Sequence, residues 1–212
     1  MAVLRFRSGS SRWVLIAATL ALLAGVLVPA RADAAFATFS GGVLTIDASE
    51  GKVVPRCASD GQITVSGLYV DNGPAYCRDL RHIEASSIVA GLFDFSQLPD
   101  DLGGGQGPIE IHAFSKVSDP TEISDDKFIG APGHINVFDG GLGFDSITGG
   151  NLDDRLSGGA DSDKIDGGRG NDILRGGSAP DKLLGGPGRD TLMGGGGSDK
   201  LLGGPGKDIE KQ

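Results

Sequence analysis

The apolar positions along the chain follow three different patterns. Near the N-terminus a continuous apolar run, Trp13 to Val28, stands behind Arg5, Arg7 and Arg12. From residue 35 onward the runs become short and β-type: Val43-Leu44-Thr45-Ile46, Ile63-Thr64-Val65, Ile88-Val89, Ile109-Glu110-Ile111-His112 and Ile135-Asn136-Val137-Phe138. Turn signals separate them, among them Ser40-Gly41-Gly42, Ser59-Asp60-Gly61, Asp71-Asn72-Gly73-Pro74, Gly103-Gly104-Gly105 and Ala131-Pro132-Gly133. Phe93 to Leu98 reads as a further strand, and Ser118 to Lys127 as a polar loop. In the last third a single large aliphatic returns every nine residues: Ile147, Leu156, Ile165, Leu174, Leu183, Leu192 and Leu201. No segment has the 3.6-residue period of a long amphipathic helix. The expectation is an all-β chain.

The nine-residue period is exact in more than the aliphatic. Eight repeats run without a gap from Gly140 to Lys211, each with Gly-Gly at positions 1 and 2 and Asp at position 6. The aspartates are Asp145, Asp154, Asp163, Asp172, Asp181, Asp190, Asp199 and Asp208. Position 8 is Ile or Leu except in the last repeat, where it is Glu210. A fixed period of this kind marks a repeat architecture. A flexible Gly-rich linker would share the composition but not the phase. Collagen needs Gly at every third position. An EF-hand fails because Ile165 stands where Asp161-Ser162-Asp163 would require a ligand, and no Glu closes the loop.

One carboxylate per turn, set in glycine, is a donor set for a hard cation. Calcium takes about 6–8 oxygens from carboxylates and carbonyls. Glycine reaches positive φ without strain, so a Gly-rich turn can aim its carbonyls at one point. The aliphatic that follows falls on a very short strand and points inward.

The nonad resembles the repeats-in-toxin (RTX), or haemolysin-type, calcium-binding repeat of secreted bacterial proteins, over about a third of the chain. The resemblance implies a parallel β-roll (a β-helix, or solenoid) with two nonads per coil, so that turns stack as n and n+2 with ions between them. Four coils leave three gaps on each side, hence at most about six Ca2+ ions held by the eight aspartates. The segment before the repeats is expected to be an irregular β-rich solenoid continuing the roll, with a small separate β-sandwich as the alternative. Position 4 is Gly in most nonads but Leu152, Asp161 and Ala179 in three. If position 4 requires positive φ, the Asp172–Asp190 and Asp190–Asp208 gaps are the tightest and the Asp163–Asp181 gap the weakest. With Glu210 in its core position, the last nonad is expected to fray as a polar end-stop.

The N-terminal pattern and the Ala32-Asp33-Ala34 site read as a secretory signal peptide over 1–34, cleaved after Ala34. Its 16 apolar residues fall short of the ~20 needed to span a bilayer. The resulting division is signal 1–34, a β-rich segment 35–131 and calcium repeats 132–212. Residues 1–34 hold four Arg and one Asp, so the remainder carries −12 against −9 for the whole chain. That acidity argues against nucleic acid or anionic membranes as partners and for divalent cations. Two cysteines in a secreted chain, Cys57 and Cys77, imply a disulfide.

Catalytic signatures are missing from the sequence. There is no H-E-x-x-H, no G-x-S-x-G and no phosphate-binding glycine loop. Glu110 and His112 would share one strand face, with Asp94, Asp100 or Asp101 as conceivable partners. That signal is weak, and surface carboxylates of an acidic chain explain the grouping better. The reading is a secreted, extracellular calcium-binding β-roll of bacterial type. It folds on calcium and has a structural or surface-interaction role, no enzymatic activity and no membrane span after cleavage. The alternative is a calcium-stabilised secreted enzyme or toxin fragment with catalysis in 35–131.

Overall fold

Alternation of inward and outward side chains organises the whole described chain. A computed structural model describes residues 36–40, 42–48, 52–53, 55–57, 63–65, 69–71, 77–87, 91–102, 104, 107–115 and 124–212. The segment expected to be a signal peptide, the Ile88-Val89 run and residues 118–123 of the polar loop lie outside the described residues. Lys127, at the far end of that loop, opens a strand.

Before the repeats the strands are β1 (Phe36–Ser40), β2 (Val43–Ala48), β3 (Lys52–Val53), β4 (Pro55–Cys57), β5 (Ile63–Val65), β6 (Tyr69–Asp71), β7 (His82–Ser87), β8 (Leu92–Asp94), β9 (Glu110–Ser115), β10 (Lys127–Ile129) and β11 (Ile135–Gly141). Within the repeats follow β12 (Ser146–Gly150), β13 (Arg155–Gly159), β14 (Lys164–Gly168), β15 (Ile173–Gly177), β16 (Lys182–Leu184), β17 (Thr191–Gly195), β18 (Lys200–Leu202) and β19 (Ile209–Lys211). A single 3-10 turn, Cys77–Asp79, is the only helical element among the described residues.

The strands form two main sheets. One has ten strands in the order β19-β17-β15-β13-β11-β9-β7-β2-β1-β6, and the other seven, β18-β16-β14-β12-β10-β8-β3. From β7 onward successive strands alternate between the sheets, and from β9 onward each pairs in parallel with the strand two before it. This is a parallel two-sheet coil, and it runs upstream of the repeats as an irregular solenoid. Two antiparallel pairs depart from it. β1 folds back on β2 with Ser40 opposite Val43, a tight hairpin in which Gly42 takes φ +85°. β4 and β5 form a separate pair.

Inward side chains stack into ladders along the axis. In the smaller sheet Val53, Phe93, Phe128, Ile147, Ile165 and Leu183 occupy one register row and are all buried. In the larger sheet the row runs Ile46, Ala85, Ala113, Phe138, Leu156, Leu174 and Leu192, also buried. Phe138 follows two alanines, and its ring meets Phe128 at 5.4 Å and Phe95 at 5.8 Å, while Phe93 stacks on Phe128 at 4.6 Å. Aromatic packing therefore fills the wide part of the solenoid, and one aliphatic per strand suffices once the coil narrows to eighteen residues. Burying each such Leu or Ile contributes about 1.5–3 kcal/mol.

The last coil stays in the ladder. β19 pairs with β17, placing Glu210 opposite Leu192, and the Glu210 carboxylate accepts the Gly203 N–H at 2.7 Å. The fraying expected at this nonad is thus replaced by a paired strand whose residues are all exposed. Cys57 and Cys77 are disulfide-bonded, with Cα atoms 6.0 Å apart.

Candidate metal centre

The pairing stacks nonad n on nonad n+2, and the aspartates form two columns. The odd column holds Asp145, Asp163, Asp181 and Asp199. The even column holds Asp154, Asp172, Asp190 and Asp208. Within each, the Oδ1 of one aspartate accepts the main-chain N–H of the aspartate eighteen residues before it. The distances are 2.8, 2.8 and 2.9 Å down the odd column and 2.8, 2.9 and 3.0 Å down the even one. Charge-assisted bonds of this type are among the stronger ones.

The second oxygen is treated differently. The Oδ2 atoms of Asp145, Asp163, Asp172, Asp181, Asp190 and Asp199 are buried and have no hydrogen-bond donor. A buried polar atom without a partner costs about 1–3 kcal/mol, more if charged. Each of these oxygens lies against the position-1 glycine of its own turn. A methyl group added to Gly140 would strike Asp145 Oδ2 and the carbonyl of Gly158, and one added to Gly185 would strike Asp190 Oδ2 and the carbonyl of Gly203. Gly167 and Gly176 meet the same pair of groups from Asp172 with Gly185 and from Asp181 with Gly194. A carboxylate oxygen and a carbonyl oxygen from successive coils thus converge where the glycine lacks a side chain. That is an all-oxygen cradle, and it fits a hard cation.

Electrostatics agree. Burial pushes the Asp145 carboxyl from its ordinary 3.8 up to about 8, with Asp163, Asp126 and Asp125 adding repulsion. Burial likewise lifts Asp163 and Asp172 to about 7 each, and raises Asp181 and Asp190. Burial without a counter-charge disfavours the charged form of these carboxyls, and a divalent cation supplies that charge.

Asp154 is the exception. Its Oδ2 accepts the Gly150 N–H at 2.5 Å, and its Oδ1 accepts both the main-chain and side-chain N–H of Asn136 at 2.7 and 3.0 Å. Burial raises it less, to about 6. Its nonad is the one with Leu152 at position 4, and Gly150, unlike every other position-2 glycine, is not in the left-handed region. The turn closes on its own carboxylate.

The position-4 argument holds for the odd column. Gly143 and Gly197 have φ +117° and +123°, and the non-glycines Asp161 and Ala179 are forced to +66° and +70°. In the even column it needs correction. Gly170 has φ +121°, but Gly188 and Gly206, which follow Pro187 and Pro205, are not left-handed. Their glycine is required by close approach instead, because a side chain at Gly188 would strike the Gly170 carbonyl and one at Gly206 the Gly188 carbonyl.

Both columns begin earlier than the repeats. Asp126 precedes Asp145 in the odd column and donates its N–H to Asp145 Oδ1 at 2.7 Å. Asn136 precedes Asp154 in the even one. Asp126-Lys127-Phe128-Ile129-Gly130 is a degenerate D-x-U-x-G, the signal that could have found the first. Both carboxylate oxygens of Asp126 already have donors, Gly91 N–H at 2.5 Å and Ser124 Oγ at 3.0 Å. Asn136 carries no charge. These two residues close the columns at their upstream ends.

The candidate acid–base group does not assemble. Glu110 and His112 share a face of β9, with Oε2 and Nε2 3.3 Å apart. Asp94 lies on β8 in the other sheet, where Oδ1 accepts Ser96 N–H and Oγ at 3.1 and 2.6 Å. Asp100 packs against Gly133.

The model of the RTX calcium-binding nonapeptide repeat (four copies) matches residues 139–174, 148–183 and 175–210. We found no match among curated proteins or solved structures. No helix among the described residues is long and apolar enough to cross a membrane. The two-sheet parallel coil, the n to n+2 stacking and the family match over 139–210 agree, and residues 139–210 form a β-roll of RTX-type calcium-binding nonapeptide repeats.

Proposed function

We propose that Asp145, Asp163, Asp172, Asp181, Asp190 and Asp199 are the calcium ligands of greatest weight, joined by Asp208 at the far end of the even column and, more weakly, by Asp154. The observation carrying this reading is the row of buried Oδ2 atoms without donors, four of which (Asp145, Asp172, Asp181 and Asp190) share their glycine gap with a carbonyl of the next coil. Six gaps between stacked turns set the upper limit at about six ions. The chain is a secreted, extracellular protein. Its segment 35–131, tied by Cys57–Cys77, caps a roll over 132–212 that folds when calcium arrives. Its role outside the cell is structural or surface-binding, with no catalysis of its own.

Coupled folding follows from charge and core size. The segment after residue 34 carries −12 and each nonad buries one aliphatic, so metal binding must offset the ordering entropy. Circular dichroism should show β structure appearing on addition of millimolar calcium and vanishing in chelator over the repeats. An unchanged folded spectrum in excess chelator would refute the coupling. N-terminal sequencing of exported protein should begin at Ala35; a chain still beginning at Met1 would refute the export route.

A further inference from the structure

Away from the aspartate columns, a second set of metal-binding groups lies on the outer face of the ten-stranded sheet. His82 opens β7, Glu110 opens β9, and the two are paired in register. Two residues further on, Glu84 and His112 are paired in the same way. Residues two apart on a strand share a face, so the four make a square with the histidines on one diagonal. His112 Nε2 is 3.3 Å from Glu110 Oε2, and His82 Nε2 is 3.7 Å from Glu84 Oε1. The imidazole rings meet edge to face with centroids 4.5 Å apart. One ligand atom each from His82, Glu110 and His112 can be chosen so that all lie within 4.8 Å of one another.

The third histidine of the chain is employed otherwise. His134 is fully buried; its Nδ1 accepts the Ile109 N–H at 3.2 Å and its Nε2 donates to the Pro99 carbonyl at 2.9 Å. Both of its nitrogens are committed to the main chain. The two remaining histidines, thirty residues apart in sequence, are the two that the register brings together. They are half-buried on interior strands of the sheet, with β2 beyond β7 and β11 beyond β9, so the strands that carry them are fixed on both sides.

We propose that His82, His112 and Glu110 form a binding site for a divalent transition metal of the zinc class, with Glu84 beside it as an auxiliary carboxylate. Two imidazoles and a carboxylate are a common zinc donor set that leaves a position open to solvent or a fourth ligand. Imidazole nitrogen does not suit calcium, which takes oxygen, and the aspartate columns offer no nitrogen. The protein would therefore hold two chemically separate metal systems: oxygen cradles along the roll, and a mixed nitrogen–oxygen site on the solenoid before it. Bound there, the ion would cross-link β7 and β9 from outside.

The test uses the full chain at saturating calcium. Titration with zinc should show one ion taken up per chain, and cobalt(II) at the same site should give the visible absorption of nitrogen-ligated cobalt. His82→Gln and His112→Gln, each checked for an unchanged circular dichroism spectrum, should abolish this step. Asp190→Asn should alter calcium uptake and leave the zinc step intact, which separates this site from the calcium reading. Independently of any variant, zinc should protect His82 and His112 of the unmodified chain from diethylpyrocarbonate, read by mass spectrometry. No zinc uptake in excess calcium, uptake that survives both histidine changes, or absence of protection overturns the proposal.

Discussion

Replacing Asp190 by Asn separates the two jobs of its carboxylate. Oδ1 accepts the Asp172 N–H at 2.9 Å, and an amide oxygen can do the same. Oδ2 has no donor and faces the Gly203 carbonyl across Gly185. An amide NH2 placed there loses the negative charge but gains a donor for that carbonyl. In calcium the variant weakens the two gaps that Asp190 borders, Asp172–Asp190 and Asp190–Asp208. A ligand present at a hundred times its Kd stabilises by about 2.7 kcal/mol per site, so the loss is about 5 kcal/mol, or roughly 10–20 °C in Tm. In chelator the sign reverses, because a buried unpartnered carboxylate has become a hydrogen-bonded amide, a gain on the order of 1–3 kcal/mol. Thermal unfolding with calcium at about a hundred times the Kd of the unmodified chain and the residual β signal in chelator read the two arms. Asp190→Asn losing stability equally in both, or losing none in calcium, would show that Oδ2 is not a calcium ligand.

Ala179→Gly should tighten the Asp163–Asp181 gap by removing a left-handed alanine at φ +70°, a gain of ~1 kcal/mol visible as a lower calcium midpoint. Acid should compete with calcium. The folded, metal-free aspartates have pKa values raised above the unfolded 3.8, to about 8 at Asp145 and about 7 at Asp163 and Asp172, so they favour the metal-free fold at low pH and lose that contribution as pH rises through 7–8. The calcium midpoint should accordingly rise on going from pH 8 to pH 6, and a flat profile across that window contradicts the burial of these groups. Reducing Cys57–Cys77, which closes a separation of 20 residues, should cost ~3 kcal/mol in the solenoid while leaving calcium stoichiometry unchanged; a lost ion would tie the bond to the roll.

The repeats were legible because their information is local. Phase alone placed Leu156 and Leu174 inside, the resemblance to RTX repeats set Asp163 beside Asp181, and the non-glycines Asp161 and Ala179 stood out as strained on the condition that position 4 needs positive φ. Gly188 and Gly206 were misread because their glycine answers to a neighbouring backbone rather than to their own φ. Asp126 escaped notice because it stands 19 residues before Asp145, one more than the two-nonad repeat, and Asn136, though in phase 18 residues before Asp154, because it carries an amide and follows Ala131-Pro132 in place of Gly-Gly. The His82–Glu110–His112 patch had half a signal, the i, i+2 pair on β9. Its other half depends on the register between β7 and β9, which a loop of irregular length sets and no local pattern encodes.

The stacked rings of Phe93, Phe95, Phe128 and Phe138 give the calcium response a direction. A repeat array behaves as a one-dimensional chain in which each coil is stabilised by its neighbours. Here one end of that chain abuts a metal-independent apolar cluster, and the coil laid on it starts with a ready-made template. On the coupling proposed above, ordering would advance like a zip from the phenylalanine end toward Gln212, each ion setting the surface on which the next coil is laid, and calcium concentration would set the length of ordered roll and not only its presence.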